Sequence, residues 1–490
     1  MLRYGSKLMR LIATLASLLA LNAVPALSQT STPAAPLPNM VFILTDDLTW
    51  NLVDYMPNVR QMQREGVTFR NFFVTDSLCC PSRASIFTGR MPHNTKVFTN
   101  GGREGGFAAF QRGGWPTNSL APALHAAGIR TAMMGKYLNL YDPRKNSPQP
   151  DWDTWAVTDR GYNGFRYYMN IDGHTRWYGA EPKHYVTDVI AHQAAAFIRE
   201  SAGRPFFIEV ATFAPHSPEI PAPRHEQALA GLQLTHGPSF NTPMQEGQLR
   251  WLSNRPALSR ADEALMDRIF RHRAQTVLAV DEMIGLLRRQ AEAAGVAAST
   301  YFVFSSDNGY HIGEHRLFVG KMTPFDHDIH VPLIVVGPRV PAGREVTEMT
   351  ANIDLAPTFT ELLGARMEGV DGRSLVPLLR GNPVANWRRM VLVEHHGPVT
   401  DPNDPDFPFK RNVNPPSYNA LRSEDWMYAE YADGERQYHD RRADPYEQRN
   451  IYASLPIARQ AELHELVAAA ATCRGEASCW SALGGGPDHP

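Results

Sequence analysis

The sequence is poor in features that mark several protein classes. Its 490 residues hold four cysteines, at 79, 80, 473 and 479, too few for a disulfide-built scaffold. Adjacent Cys79 and Cys80 also lack the spacing of zinc ligands. The 48 Lys and Arg offset 50 Asp and Glu to a formal net charge of −2, so no chain-wide basic field exists to hold nucleic acid. Beyond residue 24 no run is apolar enough to span a bilayer. There is no internal repeat of roughly 20–50 residues, which excludes solenoids and propellers. No Asn-x-Ser/Thr acceptor occurs, which leans towards a bacterial secreted or periplasmic protein.

What is present is a globular composition, 43% hydrophobic and 20% charged, on a chain long enough for two or more domains. Residues 1–28 read as an export signal. Arg3, Lys7 and Arg10 precede the apolar run 11–24, and Ala26-Leu27-Ser28 offers small residues for cleavage. Cleavage leaves no stable membrane insertion and a secreted or periplasmic chain. Residues 29–38 form an unstructured lead-in. Export permits disulfides. Of the three possible pairings, Cys473 with Cys479 is expected, because the two lie close together and far from the others.

From residue 39 short apolar runs alternate with helical stretches. Runs at 40–45, 128–134, 205–210, 301–306 and 331–336 read as strands buried on both faces, hence a largely parallel sheet between helices. Residues 67–74 read as one further strand. Helices are expected over 57–66, 185–200 and 259–294, the last opened by Ser259 and Asp262 and stopped by Gly295. The first four runs stop at polar groups: Asp46-Asp47, Lys136, His216 and Asp307-Asn308. Ligands of open α/β sheets bind beyond the carboxyl ends of the strands, so these residues are expected to converge. Asp46, Asp47, Asp307 and Asn308 are hard oxygen donors suited to Ca²⁺ or Mg²⁺. After about residue 380 short strands near 391–394, 426–431 and 436–440 precede a helix at 455–471. That pattern divides the chain into a catalytic domain, 39–380, and a smaller α+β domain, 381–490. Loops at 97–115, 214–256 and 401–416 are candidates for the rim of a site.

One stretch carries the most chemistry: Cys79-Cys80-Pro81-Ser82-Arg83-Ala84-Ser85-Ile86-Phe87-Thr88-Gly89-Arg90. Pro81 reads as the first residue of a helix and Gly89 as its stop. Cys79 then sits just ahead of a helix N-terminus with Arg83 one turn on, an anion site with a sulfur nucleophile at its mouth.

Cys-x-Pro-Ser-Arg followed by Thr-Gly resembles the signature of the type I, formylglycine-dependent sulfatases. Segments 444–450 and 352–358 also resemble the family, so the likeness runs from about residue 39 to about 453. The resemblance implies an alkaline phosphatase/sulfatase-like α/β fold: a large mixed, mostly parallel sheet flanked by helices, with a smaller C-terminal domain. It implies that a formylglycine-forming maturation enzyme oxidises Cys79 to an aldehyde, which hydrates to a geminal diol. It implies one Ca²⁺, with Mg²⁺ the lesser choice, held by Asp46, Asp47, Asp307, Asn308 and residue 79. Arg83 would hold the diol, Lys136 would bridge diol and sulfate, Lys321 would bind sulfate, and His216 would protonate the leaving oxygen. The diol attacks sulfur and expels the alcohol. Its second hydroxyl then loses a proton as the C–O bond to sulfate breaks, and the aldehyde returns. An ordinary Ser or Cys ester has no such exit.

One departure stands out. Many sulfatases carry Gly-Lys-Trp-His where this chain has Gly135-Lys136-Tyr137-Leu138-Asn139. His311 is expected to supply the missing base, with His315 as competitor and Asn139 as an alternative that orients the diol. Cys-Cys-Pro-Ser-Arg-Ala-Ser-Ile, Gly-Lys-Tyr-Leu-Asn and Asp-Asn-Gly-Tyr-His-x-Gly together resemble the N-acetylglucosamine-6-sulfatases and the heparan 6-O-endosulfatases. The long basic region of the latter is missing. The expected substrate is therefore a terminal 6-sulfated glucosamine, with His174, Arg176, His225 and the 401–416 loop lining the sugar pocket. Two alternatives keep the fold, an arylsulfatase or a phosphonate or phosphate monoester hydrolase. A third is a secreted carbohydrate-binding protein without activity.

Overall fold

Ten strands form the main sheet of the computed structural model, which describes residues 37–158, 160–382, 384–400, 402, 407 and 413–486. The export signal, most of the lead-in and most of the 401–416 loop lie outside the described residues. In chain order the strands are β1 (Asn39–Thr45), β2 (Val67–Phe69), β3 (Arg130–Lys136), β4 (Thr154–Thr158) and β5 (Tyr167–Ile171). They continue as β6 (His174–Tyr178), β7 (Phe206–Ala211), β8 (Thr300–Ser306), β9 (Leu333–Val336) and β10 (Arg344–Val346). Across the sheet the order is β10-β2-β9-β8-β1-β7-β3-β4-β5-β6. The central five, from β8 to β4, are parallel, while β9, β5 and β6 run against their neighbours.

Strand β1 explains the layering. Its alternate residues enter opposite hydrophobic clusters: Met40, Phe42 and Leu44 on one face, Val41 and Ile43 on the other. Each such side chain contributes roughly 1.5–3 kcal/mol on burial. The second face is covered by α2 (Val186–Glu200) and α3 (Arg260–Ala293), through Ile190, Val277, Val280 and Ile284. Ser259 and Asp262 form the expected capping box of α3, and Gly295 follows its end at φ 70°. The first face receives α1 (Cys79–Thr88) and α4 (Leu355–Leu362), with the Phe42 and Phe359 rings 5.0 Å apart.

Three details differ from the sequence expectation. The single strand expected at 67–74 is two short pieces, β2 and Phe72–Phe73, in different sheets, because Arg70 and Asn71 turn out of the ladder between them. Strand β9 is antiparallel to β8; between them lie a short ladder, His311–Ile312 against Val319–Gly320, and one helical turn, Asp326–Ile329, in place of a long crossover helix. The hairpin of β5 and β6 was not legible as apolar runs because β6 is exposed at four of five positions. Its Asp172-Gly173 turn, with both φ positive, was the available signal.

The second sheet is antiparallel: β11 (Met390–His395), β12 (Tyr418–Ser423), β13 (Trp426–Tyr431) and β14 (Arg436–Asp440), in that order. Helix α5 (Ile457–Ala470) packs on it, and Cys473 is bonded to Cys479. Val391, Leu421 and Tyr428 join the cluster that holds Phe42, so both sheets share a core.

Candidate active site

The parallel register assembles the site. Thr45 lies opposite Ser306, so the residues that follow β1 and β8 emerge side by side. Asp307 donates its N–H to the Thr45 carbonyl at 3.1 Å, and Asp47 donates its N–H to Asp307 Oδ1 at 3.2 Å. Asp47 adopts a left-handed φ of 61°, unusual for a residue with a side chain. It is held there from three sides: by Asp307 at its N–H, by Arg273 at its carbonyl, and by Asn308 Nδ2, 2.6 Å from its Oδ1.

Helix α1 delivers residue 79. It begins with Cys79, Leu78 being the N-cap, so Pro81 is the third helical residue and not the first. An amide at that position has no intrahelical partner either, which is why proline is tolerated. Gly89, at φ 66°, ends the helix as expected. Asn352 anchors α1 to the chain before it. Its Oδ1 accepts from the Thr75 N–H and hydroxyl, and its Nδ2 donates to Ser82 Oγ at 3.0 Å.

The Cys79 thiol lies 3.3 Å from Asp46 Oδ1, and Lys321 Nζ approaches its sulfur at 2.7 Å. Lys321 also donates to Asp47 Oδ1 at 2.8 Å, and the Lys136 ammonium contacts Asp46 Oδ2. Arg83 Nε donates to Asp307 Oδ2 at 2.8 Å, and its Nη1 to the Lys136 carbonyl at 3.0 Å. His216 Nε2 stands 3.7 Å from Asp47 Oδ2, and its Nδ1 lies 2.7 Å from the Ser217 carbonyl. The other members are buried; the His216 side chain is 21% exposed. Two neighbours were not singled out from sequence. Lys136 Nζ lies 5.2 Å over the Tyr162 ring, which itself packs 4.6 Å from His216, and Arg273 reaches the Pro215 and Asp47 carbonyls. No motif marked either residue.

Three carboxylates thus face three cations. Burial opposes ionisation of Asp46, but Lys136, with His216, Lys321 and Arg83, outweighs it and holds the carboxyl well below its usual range. Asp47 is lowered against burial by Lys321 and His216. Asp307 is pushed up by burial and by Asp46, despite Arg83. Burial, with Asp46 beside it, raises the Cys79 thiol well above its ordinary value, so as a thiol it is a poor nucleophile.

Asp46, Asp47, Cys79 and His216 present donor atoms all within 4.8 Å of one another. His216, expected as an acid, is thus among the donors, while Asp307 and Asn308 adjoin that group through Asp47. Asn308 Oδ1 is buried without a protein partner, as is Arg83 Nη2. An orphaned amide oxygen beside carboxylates fits a hard divalent cation. The remaining candidates are not among these donors. His311 pairs with Asp328. His315 stacks 4.3 Å from Phe325, and burial, with His327 and His439 nearby, holds it far below its usual value and so neutral. Leu138 fills the hydrophobic cluster, and Asn139 Oδ1 is buried without a partner. Arg176 packs over Tyr178, and His225 lies beside Glu282.

The fold is alkaline phosphatase/sulfatase-like, of the α/β class, and it sets a donor cluster that fits a metal ion around the buried residue 79. Residues 38–365 match the Sulfatase family, and residues 313–471 match the family described as N-sulphoglucosamine sulphohydrolase, C-terminal. The chain belongs to the sulfatase family and is a sulfuric ester hydrolase. It is 35% identical over 386 residues to human N-acetylglucosamine-6-sulfatase, covering 75% of this chain and 69% of that one. It superposes with a TM-score of 0.74 on a protein solved with its substrate D-glucosamine-2-N,6-O-disulfate, at 23% identity, covering 88% and 97% of the two chains. A phosphonate monoester hydrolase from Silicibacter pomeroyi shares the fold at a TM-score of 0.67 and 24% identity, covering 88% and 93%.

Proposed function

We propose that this sulfatase removes the 6-O-sulfate of terminal N-acetylglucosamine in a sulfated saccharide, outside the cytoplasm, using formylglycine made from Cys79 and one Ca²⁺. The observation that carries the chemistry is the burial of Cys79 between Lys321 and Asp46. The identity to human N-acetylglucosamine-6-sulfatase supports the substrate. The Cys473–Cys479 disulfide supports an oxidising compartment.

Asp46, Asp47, Asp307 and Asn308, with residue 79, would hold the Ca²⁺. Bound there, the cation supplies positive charge for the sulfate oxygens. The aldehyde at 79, hydrated, supplies a nucleophile that an ordinary side-chain ester could not regenerate. Lys136 and Lys321 are the sulfate cradle, each already held beside a carboxylate at the mouth of residue 79. Arg83 spans Asp307 and the Lys136 carbonyl, fixing the positions of both. His216 donates its Nδ1–H to the Ser217 carbonyl, and in its imidazolium form it also carries an Nε2–H, which would protonate the departing sugar oxygen. His311 serves as the base in place of the histidine replaced by Leu138.

Hydrolysis of a panel tests the reading, followed as release of the alcohol: N-acetylglucosamine-6-sulfate, an aryl sulfate, a phosphate monoester and a phosphonate monoester. The highest kcat/KM is expected on the sugar 6-sulfate. A phosphonate or aryl ester in first place overturns the substrate assignment. Binding of the sugar sulfate without turnover, in protein from a host that matures sulfatases and whose Cys79 is still an intact thiol, favours a carbohydrate-binding protein.

A further inference from the structure

Outside the charge cluster, a second polar arrangement sits on the segment that carries Lys321. His311 and Gly320 face each other in a short antiparallel ladder, His311–Ile312 against Val319–Gly320. His311 Nδ1 lies 2.9 and 3.0 Å from the two oxygens of Asp328. Asp328 Oδ2 also accepts from the Thr323 N–H at 3.0 Å and from its hydroxyl at 2.6 Å. His311, Asp328 and Thr323 are all buried.

A carboxylate is an acceptor only, so the Nδ1 it contacts must carry the proton. The lone pair then belongs to Nε2, which is buried and has no protein partner. A buried acceptor without a protein partner calls for an explanation, and the arrival of a proton during catalysis is one. Gly320 helps to keep it open: a Cβ there would stand 3.4 Å from Nε2, and its φ of 154° disfavours side chains. The next residue is Lys321, whose Nζ touches Cys79 Sγ. Asp328 thus grips both the ring of His311 and, through Thr323, the turn that follows Lys321.

We propose that Asp328 is a positioning residue that fixes His311 in its Nδ1–H tautomer, so that Nε2 is free to take a proton at the reacting centre. The role rests on His311 being the base. The proton taken at Nε2 makes an imidazolium, whose charge Asp328 balances, and is then returned to solvent. Sequence alone assigns Asp328 no role of its own: it is the second of two Asp in Phe-Asp-His-Asp-Ile-His, the segment that follows Lys321.

Asp328→Asn keeps the shape but turns a donor towards Nδ1, which forces the proton onto Nε2. By the precedent of buried carboxylate–histidine pairs, kcat should fall by about 10²–10⁴-fold. KM for N-acetylglucosamine-6-sulfate should stay within about threefold, as expected for loss of a transition-state interaction alone. Nitrogen NMR of the His311 ring should report Nδ1–H in the wild type and Nε2–H in the variant. If His311→Ala turns over at the wild-type rate, the base assignment fails. If His311→Ala is impaired while Asp328→Asn is not, the base stands and the positioning role is overturned. Should Asp328→Asn not fold, the wild-type spectrum decides alone, and an Nε2–H tautomer there contradicts the proposal.

Discussion

Two sets of buried charge lie in this protein, and they are built differently. At the N-terminus of α4, Asp354 is saturated. Its Oδ1 accepts from the Arg373 N–H at 2.9 Å and from Arg388 Nη1 at 3.1 Å, while its Oδ2 accepts from the Ala351 N–H at 2.8 Å and from Arg388 Nη2. Arg388 Nε is also satisfied, by the Met349 carbonyl. Around Cys79 the charges balance in sign but not in valence: Asn308 Oδ1 and Arg83 Nη2 remain open. A pair that closes on itself stabilises one conformation, whereas a cluster with open valences is arranged for groups still to come.

Substitution should separate the two sets. The largest effect on turnover is expected from Cys79→Ala, a loss on the order of 10⁴–10⁶-fold by the scale of nucleophile removals. The folded protein should persist with little change in Tm. Arg388→Ala should do the reverse, leaving kcat of the folded fraction near wild type while costing about 3–5 kcal/mol in denaturant unfolding, because Asp354 is left buried and unpaired. His216→Ala should lower kcat on the sugar sulfate by about 10²–10⁴-fold. The loss should be much smaller on an aryl sulfate, whose leaving group needs no proton.

Metal removal gives a smaller and more local effect. Chelation should lower Tm, and Ca²⁺ at one hundred times its dissociation constant should restore about 2.7 kcal/mol. Arg388→Ala should respond to Ca²⁺ like wild type, and Asp46→Asn should not. The smallest effect lies at the second sheet. Burial disfavours the charged His93 ring, yet its hydrogen bond to Glu394 outweighs this and raises its pKa. A raised folded pKa gives stability that is fully present below the unfolded value, about 6.5, and is lost as pH rises through the folded one. Unfolding followed across that window should show the decline, and His93→Gln should flatten it.

Much of the site could be read from the chain alone, and the reason is topological. Parallel strands buried on both faces announce themselves as apolar runs, and their carboxyl ends must share one edge. Asp46, Lys136, His216 and Asp307 therefore fell together although they span most of the sequence. Residues that work through a tertiary neighbour gave no such sign. Tyr162 and Arg273 belong to no motif, and Asp328 gains meaning only once Asp326–Ile329 folds back beside His311. The β5–β6 hairpin escaped for another reason: its exposed strand has no alternation to betray it. Helix α1 was legible in kind and shifted by two residues, because proline fits more than one place in a first turn.

The chemistry turns on what residue 79 is in working enzyme. Mass analysis of the peptide that contains it, taken from protein actively releasing sulfate, should show the sulfur lost and an aldehyde or its hydrate in place. Full activity from protein whose Cys79 carries an intact thiol would contradict it.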